Sequence, residues 1–184
     1  MSEHIYKSFD DMEFLNFNLL KGIFDYGFKQ PSKIQNLVVK DMFDGHDIIA
    51  QSQSGTGKTS LINGYAHEAY GDFVKLMVLQ INASEERGIE IIRNKVKNFV
   101  VSRCLYKKQP FKLVILDEAD SMTSEAQTAL KKVMESTCDI TRFVFICNYE
   151  SKIIDAIKSR CASFRFNPIS DDLMIERLKY IAKI

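Results

Sequence analysis

At 184 residues the chain has the size of one domain by the usual prior of about 100–200 residues per domain, enough to bury a hydrophobic core. With 46% hydrophobic and 27% charged residues, three Pro and no apolar run near the roughly 20 residues of a membrane span, the composition excludes membrane, fibrous and disordered classes. The formal net charge is +1, and residues 1–50 hold 5 Lys and 8 acids against 20 basic and 16 acidic residues in the remainder, an asymmetry too mild to argue for nucleic acid by itself.

The first residues lack the basic segment, apolar stretch and small-residue cleavage site of a secretory signal, so the expected location is intracellular. Residues 15–26 read as an amphipathic helix ended by Gly27, residues 27–32 as a turn and 33–43 as a second helix. From Asp47 onward, apolar runs alternate with helix-period segments. Strands are expected at 47–51, 75–81, 112–116, 142–147 and 162–166, and helices at 58–70, 86–101, 124–136 and 152–158. The helix at 86–101 places Ile89, Ile92, Val96 and Phe99 on one face, and Ser124 is the expected N-cap of the helix it opens. After Pro168, Ser170 and two Asp mark a fresh helix start running to Ile184. Strand–helix alternation of this kind means a parallel sheet covered by helices on both faces. Cys104, Cys138, Cys147 and Cys161 are too far apart for a zinc knuckle and read as reduced thiols.

Ser54-Gly55-Thr56-Gly57-Lys58-Thr59-Ser60 follows the first buried strand and opens a helix. The glycines let backbone N–H groups approach an anion, and the helix N-terminus adds partial positive charge. Lys58 reaches terminal phosphates and Thr59 can hold Mg²⁺. The full pattern has Gly where this chain has Ser52. Downstream, the apolar strand before Asp117-Glu118-Ala119-Asp120 ends in two carboxylates. Asp117 is the expected second Mg²⁺ ligand beside Thr59, and Glu118 the group that activates water. These two halves imply an ATP-type phosphate site. The fold class is then α/β, a P-loop NTPase (AAA+/RecA-like) three-layer α/β/α sandwich with a five-stranded parallel sheet, preceded by an N-terminal helical segment.

Two resemblances follow. Residues 8–59, with Ser8-Phe9-Asp10-Asp11-Met12, the block from Tyr26 to Gln35 and the phosphate loop, resemble the start of a DEAD-box RNA helicase of the translation-initiation type. That likeness implies a Q motif in which Phe9 stacks on adenine and Gln35 reads its edge. From Gly55 onward the chain resembles the small subunits of replication factor C, the AAA+ ATPases of the sliding-clamp loader. The likeness rests on the run from Leu79 to Ile89, on Lys112 to Thr123, on Thr141 to Tyr149, and on Ser159-Arg160-Cys161 with Phe164-Arg165-Phe166. It implies a sensor Asn at Asn148 that orients the attacking water, and an arginine finger at Arg160 that completes a neighbouring subunit's ATP site. It also implies phosphate contacts to DNA from Arg87, Arg93 and Lys97.

The Asp-Glu-Ala-Asp tetrad suits both families, whereas the 59-residue separation of Lys58 and Asp117 suits the compact clamp-loader core. The organisation this implies is an N-terminal helicase-like segment at 1–46, an AAA+ core at 47–168 and the start of a truncated lid at 169–184. The expected function is an ATP- and Mg²⁺-dependent clamp-loader ATPase, a core fragment or chimera, in the nucleus or at the site of replication, with the cytoplasm as the alternative location. Its implied partners are other clamp-loader subunits, the sliding clamp and primer-template DNA, with no membrane and RNA disfavoured. The alternatives are a DEAD-box RNA helicase fragment and a nucleotide-binding scaffold that does not hydrolyse ATP.

Overall fold

The computed structural model describes residues 6–13, 15, 17, 20, 24, 30, 31, 36, 38, 40–42, 44–51, 58–86, 88–102, 111–165, 175, 178, 179 and 182. In chain order the regular elements are β1 (Ile48–Gln51), α1 (Lys58–Tyr70), α2 (Val74–Met77), β2 (Val78–Asn82), α3 (89–101), β3 (Lys112–Asp117), α4 (Ser124–Thr137), β4 (Thr141–Cys147), α5 (Asp155–Lys158) and β5 (Ala162–Arg165). The strands form one sheet in the order β2-β3-β4-β1-β5, and every neighbouring pair is parallel.

Strand sequences explain why both faces are covered. β3 reads Leu-Val-Ile-Leu-Asp after Lys112, with no polar residue until its end, so neither face tolerates water. Alternation then divides the side chains: Val114 and Leu116 join Phe143 and Phe145 beneath α3 and α4, while Leu113 and Ile115 join Val144 and Ile146 beneath α1. α1 contributes Ile62, Tyr65, Ala66 and Tyr70 to the second core, and α4 contributes Ala126, Leu130 and Met134 to the first. Two buried tyrosine hydroxyls find acceptors: Tyr65 donates to Met42 O at 2.9 Å and Tyr70 to Phe111 O at 3.0 Å.

Several expected boundaries move for identifiable reasons. The expected strand at 75–81 begins only at Val78, because the Gly71–Phe73 3₁₀ turn continues into α2, and an apolar run this short cannot separate helix from strand by periodicity. α3 starts at Ile89 after an extended Gly88, and its middle, Ile92–Val96, is a π-helical segment. The wider turn shifts the register, so Ile92, Val96 and Val100 hold the buried seats while Phe99 is only half-buried. Thr123, not Ser124, caps α4: its Oγ1 accepts from Ala126 N at 3.2 Å. The helix expected at 152–158 is two short pieces, Glu150–Lys152 and α5, because Ile153 and Ile154 adopt extended backbone and Ile153 turns into the core.

Lys112 is 2% exposed at the base of β3. Its ammonium donates to Phe99 O at 2.6 Å and to Ser102 O at 2.5 Å, and stands over the Phe99 ring at 4.8 Å. It therefore satisfies carbonyls that α3 leaves open at its C-terminal end, with a charge of the sign the helix dipole favours there.

Of the helices expected at 15–26 and 33–43, the described helical positions are 17, 20, 24, 36, 38 and 40–42; the rest lies outside the described residues. Phe9, Met12 and Leu15 form a small buried cluster with Tyr6, Leu20 and Leu61 of α1 packed against it. Asn36 ties this segment down, accepting from Tyr6 N at 2.9 Å and donating to Tyr6 O at 3.2 Å. Among the described residues no helix is long and apolar enough to cross a membrane. The proposed lid at 169–184 falls almost wholly outside them.

Candidate nucleotide site

Parallel order brings the C-terminal ends of β1, β3 and β4 to one edge, which is where open α/β sheets place their ligands. Gln51 lies beside Cys147 in the register and Asp117 beside Asn82, so the ends of these strands lie along one edge. α1 opens at this edge with Lys58 and Thr59 in its first turn.

Two hydrogen bonds join the two halves of the motif. Thr59 Oγ1 donates to Asp117 Oδ2 at 2.9 Å, and Lys58 Nζ donates to Asn148 Oδ1 at 3.3 Å. Three expected site elements that are up to 90 residues apart in sequence thus share one pocket edge. Asn148 is itself held by its backbone: its N–H donates to Asp120 Oδ1 at 3.4 Å, and its carbonyl accepts from Gln51 Nε2 at 3.4 Å. Burial pulls the Lys58 ammonium below the usual lysine value, with Asp117 and Asp120 among the groups acting the other way. A buried cation with carboxylates on one side gains from an incoming polyanion on the other.

Asp117 and Glu118 have different surroundings. Asp117 accepts from Glu118 N at 2.9 Å and from Thr59, so its carboxylate is fixed. Glu118 is exposed and sits at φ 51, the left-handed region that costs a non-glycine residue of order 1 kcal/mol or more. That backbone turns its side chain away from the strand line at the sheet edge. The donors fit Mg²⁺: both are hard oxygens, and their 2.9 Å separation equals the spacing of adjacent corners of an octahedron of about 2.0–2.1 Å bonds. Mg²⁺ sites of this type use one or two carboxylates and leave the other positions to phosphate and water.

Of the other expected site residues, Ser60 is exposed on α1. Ser54, Gly55, Thr56, Gly57, Gln35 and Arg87 lie outside the described residues. Phe9 is 4% exposed within its own cluster and packs against side chains, Leu61 among those around it. Arg160 follows α5 and bonds to Glu135 of α4 at 2.5 Å. Arg93 and Lys97 are exposed on α3, and Arg93 pairs with Glu90 at 3.5 Å.

Two features were not read from sequence. An open groove of about 500 Å³ between α3 and α4 is lined by Ile89, Arg93, Ser124, Glu125, Thr128 and Lys132 among others. Its available signal was Thr128 and Lys132 one turn apart on the polar face of α4. Gln127, 2% exposed, donates to Lys152 O at 3.0 Å and accepts from Ile154 N at 2.9 Å, joining α4 to the loop between β4 and α5. A Gln among apolar helix positions was its only trace.

Comparison with known proteins agrees with this geometry. The family model described as DNA polymerase III, delta subunit, matches residues 28–170. The replication factor C small subunit of Aeropyrum pernix is 54% identical over 129 residues, covering 70% of this chain and 39% of that protein. Human replication factor C subunit 4 is 47% identical over 156 residues, covering 79% of this chain and 43% of that one. The chain thus spans about two fifths of the length of the curated relatives it matches. Among solved structures, a DNA polymerase III gamma subunit-related protein from Thermotoga maritima aligns with TM-score 0.55 at 21% identity, covering 74% of this chain and 46% of that one. The Aeropyrum pernix ORC1 protein in complex with DNA aligns with TM-score 0.56 at 18% identity, covering 75% and 44%. These two show the shared fold. The same findings correct the helicase half of the sequence reading. The family match already takes in residues 28–59, so the DEAD-box and Q-motif assignment is not supported; short glycine- and lysine-centred strings there are common to both kinds of phosphate loop. The chain belongs to the DNA polymerase III, delta subunit, family and is a homologue of the replication factor C small subunits.

Proposed function

We propose that the chain is the ATPase core of a clamp-loader subunit, which binds Mg²⁺-ATP at the C-terminal edge of its sheet and works beside other subunits on a sliding clamp and primer-template DNA. The observation that carries this reading is the pair of contacts joining Thr59 to Asp117 and Lys58 to Asn148. In it, residues 54–60 cradle the phosphates, Lys58 neutralises the terminal ones, and Thr59 and Asp117 hold Mg²⁺, which withdraws charge from the phosphates when bound. Glu118 takes the proton of the attacking water and Asn148 orients that water. Arg160 reaches a neighbouring subunit's nucleotide, and Arg87, Arg93 and Lys97 line the DNA. On this reading the work belongs to DNA replication, inside the cell at the site of replication; the replication factor C names of the curated relatives support the replication part.

The test is the ATPase rate of the chain alone, with RNA, and with primed DNA plus clamp and partner subunits. Stimulation only in the last arm, lost in Lys58→Ala, is expected. Binding of ATP with no turnover in any arm would favour a nucleotide-binding scaffold, and stimulation by RNA alone would overturn the reading.

A further inference from the structure

Arg160 is exposed, but its side chain is not free in solvent. Its guanidinium folds back on its own helix, where Nη1 donates to Ala156 O at 2.6 Å and to Ser159 Oγ at 3.3 Å. Nη2 donates to Glu135 Oε1 at 2.5 Å across the gap between α5 and α4. Both η nitrogens are thus engaged, and the anionic one of their acceptors is a carboxylate on an element that carries none of the nucleotide residues. A carboxylate oxygen accepts from guanidinium much as a phosphate oxygen does, by charge-assisted N–H bonds. Glu135 therefore stands where a phosphate would be recognised.

We propose that Glu135 is a latch for Arg160: it holds the guanidinium in cis when no neighbour's nucleotide is present, and exchanges it for the γ-phosphate when a neighbour's site docks. This rests on the reading of Arg160 as a trans-acting finger. The exchange leaves no orphaned charge, because Lys131 Nζ lies 3.6 Å from the same Glu135 Oε1 and stays behind as its partner. Both members of the latch are partly exposed, 38% for Arg160 and 41% for Glu135, so the pair is weak enough to be displaced. Phosphate carries more charge than carboxylate and wins the guanidinium once it is within reach.

The test mixes two full-length variants. Glu118→Gln supplies Arg160 but cannot hydrolyse; Arg160→Ala supplies an intact site without a finger. Hydrolysis in the mixture then reports delivery in trans. Adding Glu135→Gln to the finger donor should lower the donor concentration for half-maximal rate by about 1.5- to 5-fold, the range expected for releasing one exposed ion pair. In the nucleotide-free chain, the Arg160 side-chain N–H signals should lose their slowed exchange in Glu135→Gln and keep it in Glu135→Asp. Trans hydrolysis with an unchanged midpoint overturns the latch and leaves the finger standing. A raised midpoint also overturns it, since Glu135 would then orient the finger in the assembled site. Absence of trans hydrolysis with either donor overturns the finger and the latch together.

Discussion

The Lys58 ammonium donates to Asn148 Oδ1 at 3.3 Å, joining the first residue of α1 to the residue that follows β4. On the proposed function, a triphosphate entering this edge takes over the lysine, since its charge outweighs a neutral amide. Asn148 is then freed to accept or donate elsewhere, while its backbone stays pinned by Asp120 and Gln51. Binding and chemistry therefore separate between the two residues. Lys58→Ala is expected to abolish ATP binding. Asn148→Ala is expected to bind within a few-fold of the parent yet hydrolyse about 10- to 100-fold more slowly, the scale of one lost orienting polar group. Fluorescent-nucleotide titration and single-turnover rates measure the two effects, and a parallel loss of binding in Asn148→Ala would contradict the division of roles.

Gln127 tests the frame behind the site. Its side chain has three backbone partners: Met122 O at 3.3 Å, Lys152 O at 3.0 Å and Ile154 N at 2.9 Å. Gln127→Leu conserves volume but strands Met122 O in the interior and the part-buried Lys152 O and Ile154 N, so a destabilisation of about 1–3 kcal/mol is expected from leaving these backbone groups unpaired. Gln127→Glu retains the acceptor for Ile154 and loses the donors. Urea unfolding of both variants checks this. A loss under 0.5 kcal/mol, roughly the effect of an ordinary surface substitution, would mean that water replaces the side chain.

How much of this was legible in the sequence depends on the distance over which each feature is decided. The start of α1 at Lys58 and the end of β3 at Asp117 were readable, because a glycine-rich turn before a helix and an apolar run ending in acid are local signals. The 2.9 Å contact between Thr59 and Asp117 was expected in kind, since both were read as Mg²⁺ ligands, but no local signal sets its length. Residues 75–77 are helical where strand was expected, because the four-residue helix Val74–Met77 is too short and apolar-rich to show its period, and the preceding 3₁₀ turn decides the matter. The π segment at Ile92–Val96 moves the buried face of α3 by packing, which a 3.6-residue template cannot foresee. Glu135 was invisible for a plainer reason. It is one acid on an exposed helix face until α5 brings Arg160 to it across 25 residues of chain.

Asp47 makes the fold sensitive to pH. Burial pushes its carboxyl up to about 6, while the hydrogen bond from Phe143 N and the charges of Arg142 and His46 pull the other way. The folded chain therefore holds this proton more tightly than the unfolded chain, whose Asp titrates near 4. The stabilisation is fully present below about pH 4 and lost as pH rises through 6. Asp47→Asn retains an oxygen that accepts from Phe143 N and removes the ionisation. It should be more stable than the parent by ~1–3 kcal/mol at pH 7.5, with the gap closing toward pH 4. Unfolding midpoints at pH 4.5, 6 and 7.5 measure the slope; a gap independent of pH would rule this origin out.

The groove between α3 and α4 sets the last expectation. Arg93 of α3 and Lys132 of α4 line it together with Ser124, Glu125 and Thr128. Two cations carried by neighbouring helices suit a phosphodiester, and Glu125 in the same lining opposes it. Contacts of this kind are independent of sequence and release counterions. Lys132→Ala and Arg93→Ala should each weaken binding of primed duplex, alike for unrelated sequences, and reduce the slope of log affinity against log salt by about one. Glu125→Gln, which removes the repulsive charge, should strengthen binding at low salt. Titrations at several salt concentrations decide it: a slope unchanged in both cation variants would show that the nucleic acid passes elsewhere and that the two side chains serve only the helix faces that carry them.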